Sequence, residues 1–224
     1  MSVSCQDCKI KRCHYCLIEG AFIIKVILLG DGCVGKTQLV RRFCYDSFEP
    51  YTYPTTAKVL PFDKRTIRTE GKTVKFYVHE LSGMYIRFRI PLPAIEIREM
   101  AGAMLVYDVT KRSTFEHVEY WRKQLRDNAA YHSAPILLVG TKCDLQNQIE
   151  VTTEEACIYA GKNAMSFIET SARNSTNVDA AFENLFKEVH CSKDIADCSL
   201  FGTSRDIVNI GKDKSITTRC CGII

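Results

Sequence analysis

The sequence of 224 residues lacks the features of a membrane-spanning, secreted or nucleic-acid-binding protein. It has no apolar run that approaches the roughly 20 residues a membrane-spanning helix needs. Lys9, Lys11 and Arg12 interrupt the start of the chain, so we expect no secretion signal there. A net charge of +4 is too small to indicate nucleic-acid binding. With 46% hydrophobic and 25% charged residues, the composition indicates one soluble, well-buried domain with tails.

The chain also lacks a disulfide framework, although it has twelve cysteines. Residues 1–20 form a cysteine-rich extension in which two Cys-x-x-Cys pairs stand four residues apart. Four thiolates can hold Zn²⁺ tetrahedrally, but this gap is shorter than the 15–20 residues of the usual pattern. The extension is therefore either a flexible or thioacylated arm or a zinc site. The zinc ligands would be Cys5, Cys8, Cys13 and Cys16.

A phosphate-binding loop is the clearest motif in the chain. The β-branched run Phe22–Leu29 predicts a strand buried on both faces, and residues 30–37 then follow the pattern G-x-x-x-x-G-K-T. Such a loop, placed before a helix, turns backbone N–H groups and a partial positive charge towards phosphate oxygens. We expect Lys36 to reach the β- and γ-phosphates and the Thr37 hydroxyl to ligate Mg²⁺. The loop residues are Gly30, Asp31, Gly32, Cys33, Val34, Gly35, Lys36 and Thr37.

Strands alternate with helices from residue 22 to residue 190, which predicts an α/β fold. We expect a mostly parallel six-stranded sheet with helices on both faces and a ligand at the carboxyl ends of the strands. Trp121 falls on the apolar face of a helix and is interpreted as a core anchor. The predicted strands are Phe22–Leu29, Val59–Thr69, Lys72–Glu80, Ala103–Val109, Pro135–Gly140 and Ser166–Thr170. One predicted helix follows the phosphate loop and ends near Tyr45. The other three predicted helices are Phe115–Leu125, Thr153–Gly161 and Val178–Val189.

Two further motifs point to guanine as the base. Thr141-Lys142-Cys143-Asp144 follows a predicted strand directly. The Asp144 carboxylate can accept hydrogen bonds from the ring N–H and the amine of guanine, a donor pair that adenine does not offer. The stem of Lys142 can lie along the base. After the last strand, the backbone N–H groups of Ser171, Ala172 and Arg173 can meet the guanine oxygen.

These motifs, in this order, resemble those of the Ras superfamily of small GTPases, over about residues 22–190. Leu105–Thr110 and the closing double cysteine are most similar to the Rab branch. The resemblance implies that Thr55 caps the γ-phosphate and Mg²⁺, and that Phe48 packs on the guanine. It also implies a monomer that meets exchange factors, GTPase-activating proteins and effectors. Thr141 stands where the family usually has asparagine, a substitution that the Rho branch also carries. Guanine selectivity should survive, because Asp144 supplies it.

The second switch departs from the family pattern Asp-x-x-Gly-Gln. The chain has Glu80-Leu-Ser-Gly83-Met84 instead. Glu80 keeps a carboxylate that can hold Mg²⁺ through a water, and Gly83 keeps an N–H for the γ-phosphate. Met84 replaces the glutamine that orients the attacking water, and a thioether cannot donate a hydrogen bond. We therefore expect slow intrinsic GTP hydrolysis. Pro91 and Pro93 disfavour a regular helix in the following segment.

The chain ends in Cys220-Cys221-Gly-Ile-Ile, and its last four residues fit the C-a-a-X prenylation pattern, although Ile is not among the usual terminal residues. Lipids on both Cys220 and Cys221 would give stable membrane attachment, where one lipid gives only marginal binding. The alternative is an incidental cysteine pair. Residues 191–219 are polar and have too little apolar surface to order themselves, so we predict a hypervariable tail.

Together these features predict three segments: an extension at 1–20, a GTP-binding domain at 21–190, and a tail at 191–224. The leading hypothesis is a Rab-like switch between GTP and GDP in membrane trafficking, held on the cytoplasmic face of a membrane with a cytosolic pool. The alternative is a pseudo-GTPase that keeps GTP bound and acts as a scaffold in signalling. A P-loop kinase or ATPase is disfavoured by Asp144 and by the lack of a lid-like insertion.

Overall fold

The computed structural model describes residues 15–18, 20–50, 55, 62–83, 97, 100–127 and 134–200. Strands and helices alternate along these residues, as the sequence predicts. The strands are β1 (Tyr15–Ile18), β2 (Ala21–Leu29), β3 (Asp63–Thr69), β4 (Lys72–Glu80), β5 (Gly102–Asp108), β6 (Ile136–Thr141) and β7 (Ser166–Glu169). The helices are α1 (Lys36–Tyr45), α2 (Arg112–Glu116), α3 (Val118–Arg126), α4 (Thr153–Lys162) and α5 (Val178–Leu200), with a 3₁₀ turn at Gln146–Gln148.

The predicted α/β fold is confirmed. The strands form one sheet in the order β3-β4-β2-β5-β6-β7, in which β4, β2, β5, β6 and β7 run parallel. Strand β3 pairs antiparallel with β4 through the turn at Glu70 and Gly71, where both residues have positive φ. Strand order reverses beside β2, between its neighbours β4 and β5. In open parallel sheets of this kind, a ligand binds in the crevice at such a reversal.

Strand β1 is an addition to the predicted six strands. It pairs antiparallel with the first half of β2, from Tyr15 opposite Ile24 to Ile18 opposite Ala21. Strand β5 pairs with β2 only from Val26 onward, so the first half of β2 would have unpaired backbone groups on the side that faces β5. Strand β1 satisfies those groups. The last residues of the predicted N-terminal arm are therefore part of the sheet.

Helices cover both faces of the sheet and divide its core in two. On one face, α2, α3 and α4 pack their apolar residues, including Trp121 and Leu125, against β5 and β6. On the other face, α1 and α5 meet through stacked rings of Phe43 and Phe182, whose centroids are 3.6 Å apart. The β5 residues are all buried, as expected for a central parallel strand.

Two helices differ from their predicted bounds. The helix predicted over Phe115–Leu125 is interrupted at His117 and forms the separate helices α2 and α3. Helix α5 continues to Leu200, although the apolar periodicity ends near His190. Once a helix has formed, each further residue adds a backbone hydrogen bond, and the chain has no glycine or proline between Val178 and Gly202. No helix of the described residues combines the length and apolar character that crossing a bilayer requires.

The carboxyl ends of the parallel strands meet at one edge of the sheet. The registers place Leu28 beside Glu80, Leu29 beside Leu105, and Asp108 beside Thr141. The segments that follow β2, β4, β6 and β7 carry the four motifs found in the sequence. The parallel sheet therefore brings motifs separated by more than 100 residues to the same place.

Candidate nucleotide-binding site

A cavity of about 400 Å³ lies at this edge of the sheet. It has the size of a small-ligand pocket. Four predicted site residues do not line it: Gly30, Asp31 and Val34 of the loop, and Ser171. Its lining includes fourteen residues predicted from the sequence, namely Gly32, Cys33, Gly35, Lys36, Thr37, Phe48, Thr55, Glu80, Gly83, Thr141, Lys142, Asp144, Ala172 and Arg173.

The phosphate loop depends on backbone conformations that favour glycine. Gly30 has φ +151°, and a Cβ there would lie 2.1 Å from the Val106 carbonyl oxygen. Gly35 has φ +100° and immediately precedes helix α1. Cys33 has φ +64° despite its side chain, and it is exposed at the cavity. The loop therefore passes very close to β5 and then turns its backbone towards the start of α1, where anions bind.

Lys36 is held at the centre of this loop. Its ammonium donates to the carbonyl oxygens of Gly30 at 2.8 Å and Asp31 at 2.7 Å. An ammonium has three N–H donors, so one remains for a phosphate. Burial lowers the pKa of Lys36 to about 8, and the nearby carboxylates of Glu80 and Asp31 act in the opposite direction. The side chain is therefore mostly protonated at pH 7, with a fixed position and a charge that suits phosphate oxygens.

Three oxygen-bearing side chains converge beside Lys36. The Thr37 hydroxyl donates to Glu80 Oε1 at 2.7 Å and lies 3.0 Å from the Thr55 hydroxyl. Burial raises the pKa of Glu80, whereas the Thr37 hydrogen bond and the Lys36 charge lower it. Hydroxyl, carboxylate and water oxygens are the ligands that Mg²⁺ accepts, usually with phosphate oxygens completing its shell. The residues present therefore fit a magnesium ion between the protein and a bound triphosphate.

The second switch begins in contact with the phosphate loop and with Thr55, the residue that the family resemblance places in the first switch. Ser82 donates from its hydroxyl to the Thr55 carbonyl at 2.8 Å. A Cβ on Gly83 would lie 2.0 Å from the Gly32 nitrogen and 2.3 Å from the Asp31 carbonyl carbon. Only glycine allows the backbone to approach the loop so closely. This approach places the Gly83 backbone against the peptide between Asp31 and Gly32, and the Asp31 carbonyl of that peptide accepts from the Lys36 ammonium.

Substitution of Gly83 by alanine should therefore weaken GTP binding more than GDP binding. The added methyl group forces the second switch away from the loop, so its backbone N–H can no longer reach a γ-phosphate. We expect GTP affinity to fall by roughly tenfold or more, since a hydrogen bond to a charged group is lost. Competition between a non-hydrolysable GTP analogue and GDP measures this ratio. Gly161→Ala in helix α4 is the matched control, because a Cβ there meets nothing within 4 Å and the residue lies outside the cavity lining; an equal shift in both variants would contradict the explanation.

The far end of the cavity has the residues predicted to hold the base. Asp144 lines it, and one carboxylate oxygen, Oδ1, accepts a hydrogen bond from the Ser171 hydroxyl at 2.6 Å. Oδ2 can accept a hydrogen bond from a ligand. Phe48 lines the same cavity and is half-buried. Ala172 and Arg173 complete this end of the cavity.

Thr141 and Lys142 connect the base motif to other elements. The Thr141 hydroxyl is buried within hydrogen-bond distance of the carbonyl oxygens of Val34 and Tyr107, at 2.5 and 2.9 Å. Lys142 donates to Asp108 Oδ2 at 2.5 Å and to the Cys33 carbonyl at 3.1 Å. Both side chains therefore join strand β6 to the phosphate loop, and the stem of Lys142 lies along the cavity.

Several contacts at the site were not predicted from the sequence. Asp108 anchors the Lys142 ammonium, and its position at the end of a buried strand was the available signal. Arg42 donates from Nε to the Ala172 carbonyl at 2.8 Å and so connects α1 to the base loop. Asp31 turns its carboxylate towards His117 and Trp121 instead of the cavity. Trp121 is 1% exposed and is a core residue as predicted, but its indole N–H also contacts the loop.

Some predicted features lie outside the described residues. They include Met84, the segment with Pro91 and Pro93, and the terminal Cys220 and Cys221. Of the four predicted zinc ligands, Cys5, Cys8 and Cys13 also lie outside them. Within the part of the chain that is described, no group of three or more histidine, cysteine, aspartate or glutamate residues could hold a metal ion. The zinc prediction therefore has no support.

Comparison with known proteins agrees with this geometry. The sequence model of the Ras family matches residues 25–191 of the chain. The chain is 44% identical over 174 residues to the Ras-related protein rab-11.1 of Caenorhabditis elegans, an alignment that covers 78% of the chain and 80% of that protein. The resemblance read from the motifs is thereby confirmed, and with it the GTP-binding character of the domain. The chain belongs to the Ras family and is a Rab-like small GTPase.

Proposed function

We propose that the chain is a lipid-anchored Rab-type switch that alternates between GTP and GDP and hydrolyses GTP slowly. The observation that carries the proposal is the meeting of both switches beside Lys36. Thr55 comes from the first switch and Gly83 from the second, and both line the same end of the cavity. Two loops that meet at the γ-phosphate position can order around that phosphate and relax when it is lost.

At the phosphate end, the loop N–H groups and Lys36 bind the β- and γ-phosphates. Thr37 and Thr55 would be the protein ligands of Mg²⁺, and Glu80 would hold it through a water. Bound Mg²⁺ supplies positive charge that neutralises the phosphate oxygens. Glu80 is one methylene longer than the aspartate of the family pattern. The Glu80 carboxylate nevertheless accepts a hydrogen bond from the Thr37 hydroxyl. This contact supports the proposal that Glu80 reaches the magnesium position despite its extra length.

At the base end, Asp144 selects guanine through hydrogen bonds to the ring N–H and the amine. Phe48 and the stem of Lys142 hold the two faces of the base. The backbone of Ser171, Ala172 and Arg173 meets the guanine oxygen. The Ser171 hydroxyl at 2.6 Å supports this assignment, because it fixes the Asp144 carboxylate in one orientation.

Met84 follows Gly83 directly and makes hydrolysis slow. A glutamine at this position in the family holds the attacking water through its amide. A methionine thioether is a weak acceptor without a donor, so it does not orient that water. The protein therefore keeps GTP longer than its relatives do and depends on partner proteins to leave the GTP state.

The tail at 191–224 attaches the GTP-binding domain to the cytoplasmic face of a membrane through isoprenoid groups on Cys220 and Cys221. Exchange factors, GTPase-activating proteins and effectors act on the switches, in vesicle or membrane trafficking, and a cytosolic pool exchanges with the membrane. The similarity to a Rab protein and the terminal double cysteine support this part of the proposal.

Replacement of both terminal cysteines by serine tests the anchor. Two lipid chains bind a membrane far more strongly than one, so the double variant should move entirely to the soluble fraction. Fractionation of the native host, with the intact mass of the protein as second readout, measures the change. Cys191→Ser is the matched control in the same tail and should stay with the membrane. A wild-type tail of unmodified mass would refute the anchor while leaving nucleotide binding unaffected.

A further inference from the structure

Asp31 is a carboxylate in the middle of the phosphate loop, where a negative charge opposes phosphate binding. Both of its oxygens are occupied. Oδ1 accepts from the Trp121 indole N–H at 2.9 Å, and Oδ2 lies 2.6 Å from His117 Nδ1. The side chain is 15% exposed and is turned towards α3. Its charge is therefore directed away from the cavity, into two donors of one helical segment.

The chemistry of the groups fixes the direction of both hydrogen bonds to the Asp31 carboxylate. An indole N–H can only donate, and an ionised carboxylate can only accept, so Nδ1 of His117 must have a hydrogen atom. Trp121 is locked in the core under the sheet, whereas the His117 side chain is 49% exposed. Trp121 thus holds Asp31 Oδ1 from a rigid position in the core, and His117 holds Oδ2 from the surface.

The backbone of Asp31 is also a meeting point of the site. Its carbonyl oxygen accepts from the Lys36 ammonium at 2.7 Å. The peptide that joins Asp31 to Gly32 is the surface against which Gly83 packs. A movement of this one peptide would therefore displace the phosphate-binding ammonium and the second switch together.

We propose that Asp31 is a positioning residue, whose side chain is clamped by Trp121 and His117 so that helix α3 holds the phosphate loop closed around bound nucleotide. The inference rests on the proposed nucleotide function. Asp31 itself does not touch the phosphates. The clamp acts through the loop backbone and slows nucleotide release.

The release rate of a fluorescent GDP analogue from the full chain with Mg²⁺ tests the clamp. His117→Ala removes one donor from an exposed position and should speed release roughly threefold to tenfold, the range for a partly exposed, charge-assisted hydrogen bond. His117→Asn retains an N–H near the position of Nδ1 and should restore most of the slow release. Lys123→Ala on the same helix is the control, because Lys123 is exposed and pairs with Glu119, not with the loop.

A double-mutant cycle separates the clamp from a general loss of structure. Asp31→Ala should speed release roughly tenfold or more, and Asp31→Ala with His117→Ala should be no faster than Asp31→Ala alone. Independent, additive effects would overturn the proposal, and so would unchanged release in His117→Ala. If the wild-type chain does not retain the GDP analogue, the nucleotide function fails instead, and that result is distinct from a failed clamp.

Discussion

Asp144→Asn is expected to lose most of its affinity for guanine nucleotides. Under the proposed function the carboxylate accepts from two guanine donors, whereas an amide has only one acceptor atom and presents N–H groups to the second donor. Loss of one hydrogen bond to a charged group and burial of an unpaired donor together cost roughly 100-fold or more in affinity. Titration calorimetry with GDP and Mg²⁺ measures the loss directly.

Binding of a second nucleotide by Asp144→Asn shows whether the binding site of this variant is still intact. Xanthine has a carbonyl where guanine has its amine, so an asparagine N–H can donate to it. Asp144→Asn should therefore bind xanthosine diphosphate more tightly than the wild type does. The Ser171 hydroxyl can still donate to the amide oxygen, which keeps the side chain in place. An unchanged GDP affinity would show that Asp144 does not contact the base.

Met84→Gln is expected to raise the rate of hydrolysis of bound GTP in a single turnover. The wild type should hydrolyse GTP below the roughly 3–5 × 10⁻⁴ s⁻¹ of a small GTPase that has the glutamine. Restoring an amide that can orient the attacking water should raise the rate on the order of tenfold or more. Met84→Leu, which has similar volume and no polar group, is the matched control and should stay at the wild-type rate.

The hydrolysis rates of the wild type and Met84→Gln also decide between a GTP/GDP switch and a GTP-binding scaffold. A wild-type rate in the normal range would contradict the role assigned to Met84. If neither the wild type nor Met84→Gln hydrolyses GTP while both retain it through purification, the scaffold hypothesis is favoured. In that case Glu80 is the next residue to change, because its longer side chain is the other departure of the second switch from the family pattern. Glu80→Asp would then be the informative variant.

The motifs were predictable because each is short, continuous and follows a strand. Residues 30–37 follow β2, and Asp144 follows β6 by three positions. Parallel strands bring such segments to one edge whatever their separation in the chain, so the cavity lining followed from the fold class. Ten lining residues of the loop and base motifs needed no more information than local pattern and strand order. Phe48, Thr55, Glu80 and Gly83 were predicted only through the resemblance to the Ras superfamily.

The contacts that were missed connect segments with no local pattern. Arg42 and Ala172 are 130 positions apart, and Asp31 and Trp121 are 90 apart. A buried tryptophan on an apolar helix face predicts packing, and nothing in its periodicity shows where the indole N–H points. Strand β1 was missed for a related reason. Its pairing depends on where β5 begins along β2, which the sequence of residues 15–18 does not contain.

Binding of GDP and of ADP to the purified wild-type chain, compared by calorimetry in the same Mg²⁺ buffer, tests the central claim most directly. A loop that grips phosphates binds both diphosphates through the same groups, so any preference must come from the base. A site whose polar groups match guanine should favour GDP by on the order of 10³ or more. Equal affinities for the two nucleotides, or tighter binding of ADP, would contradict the account.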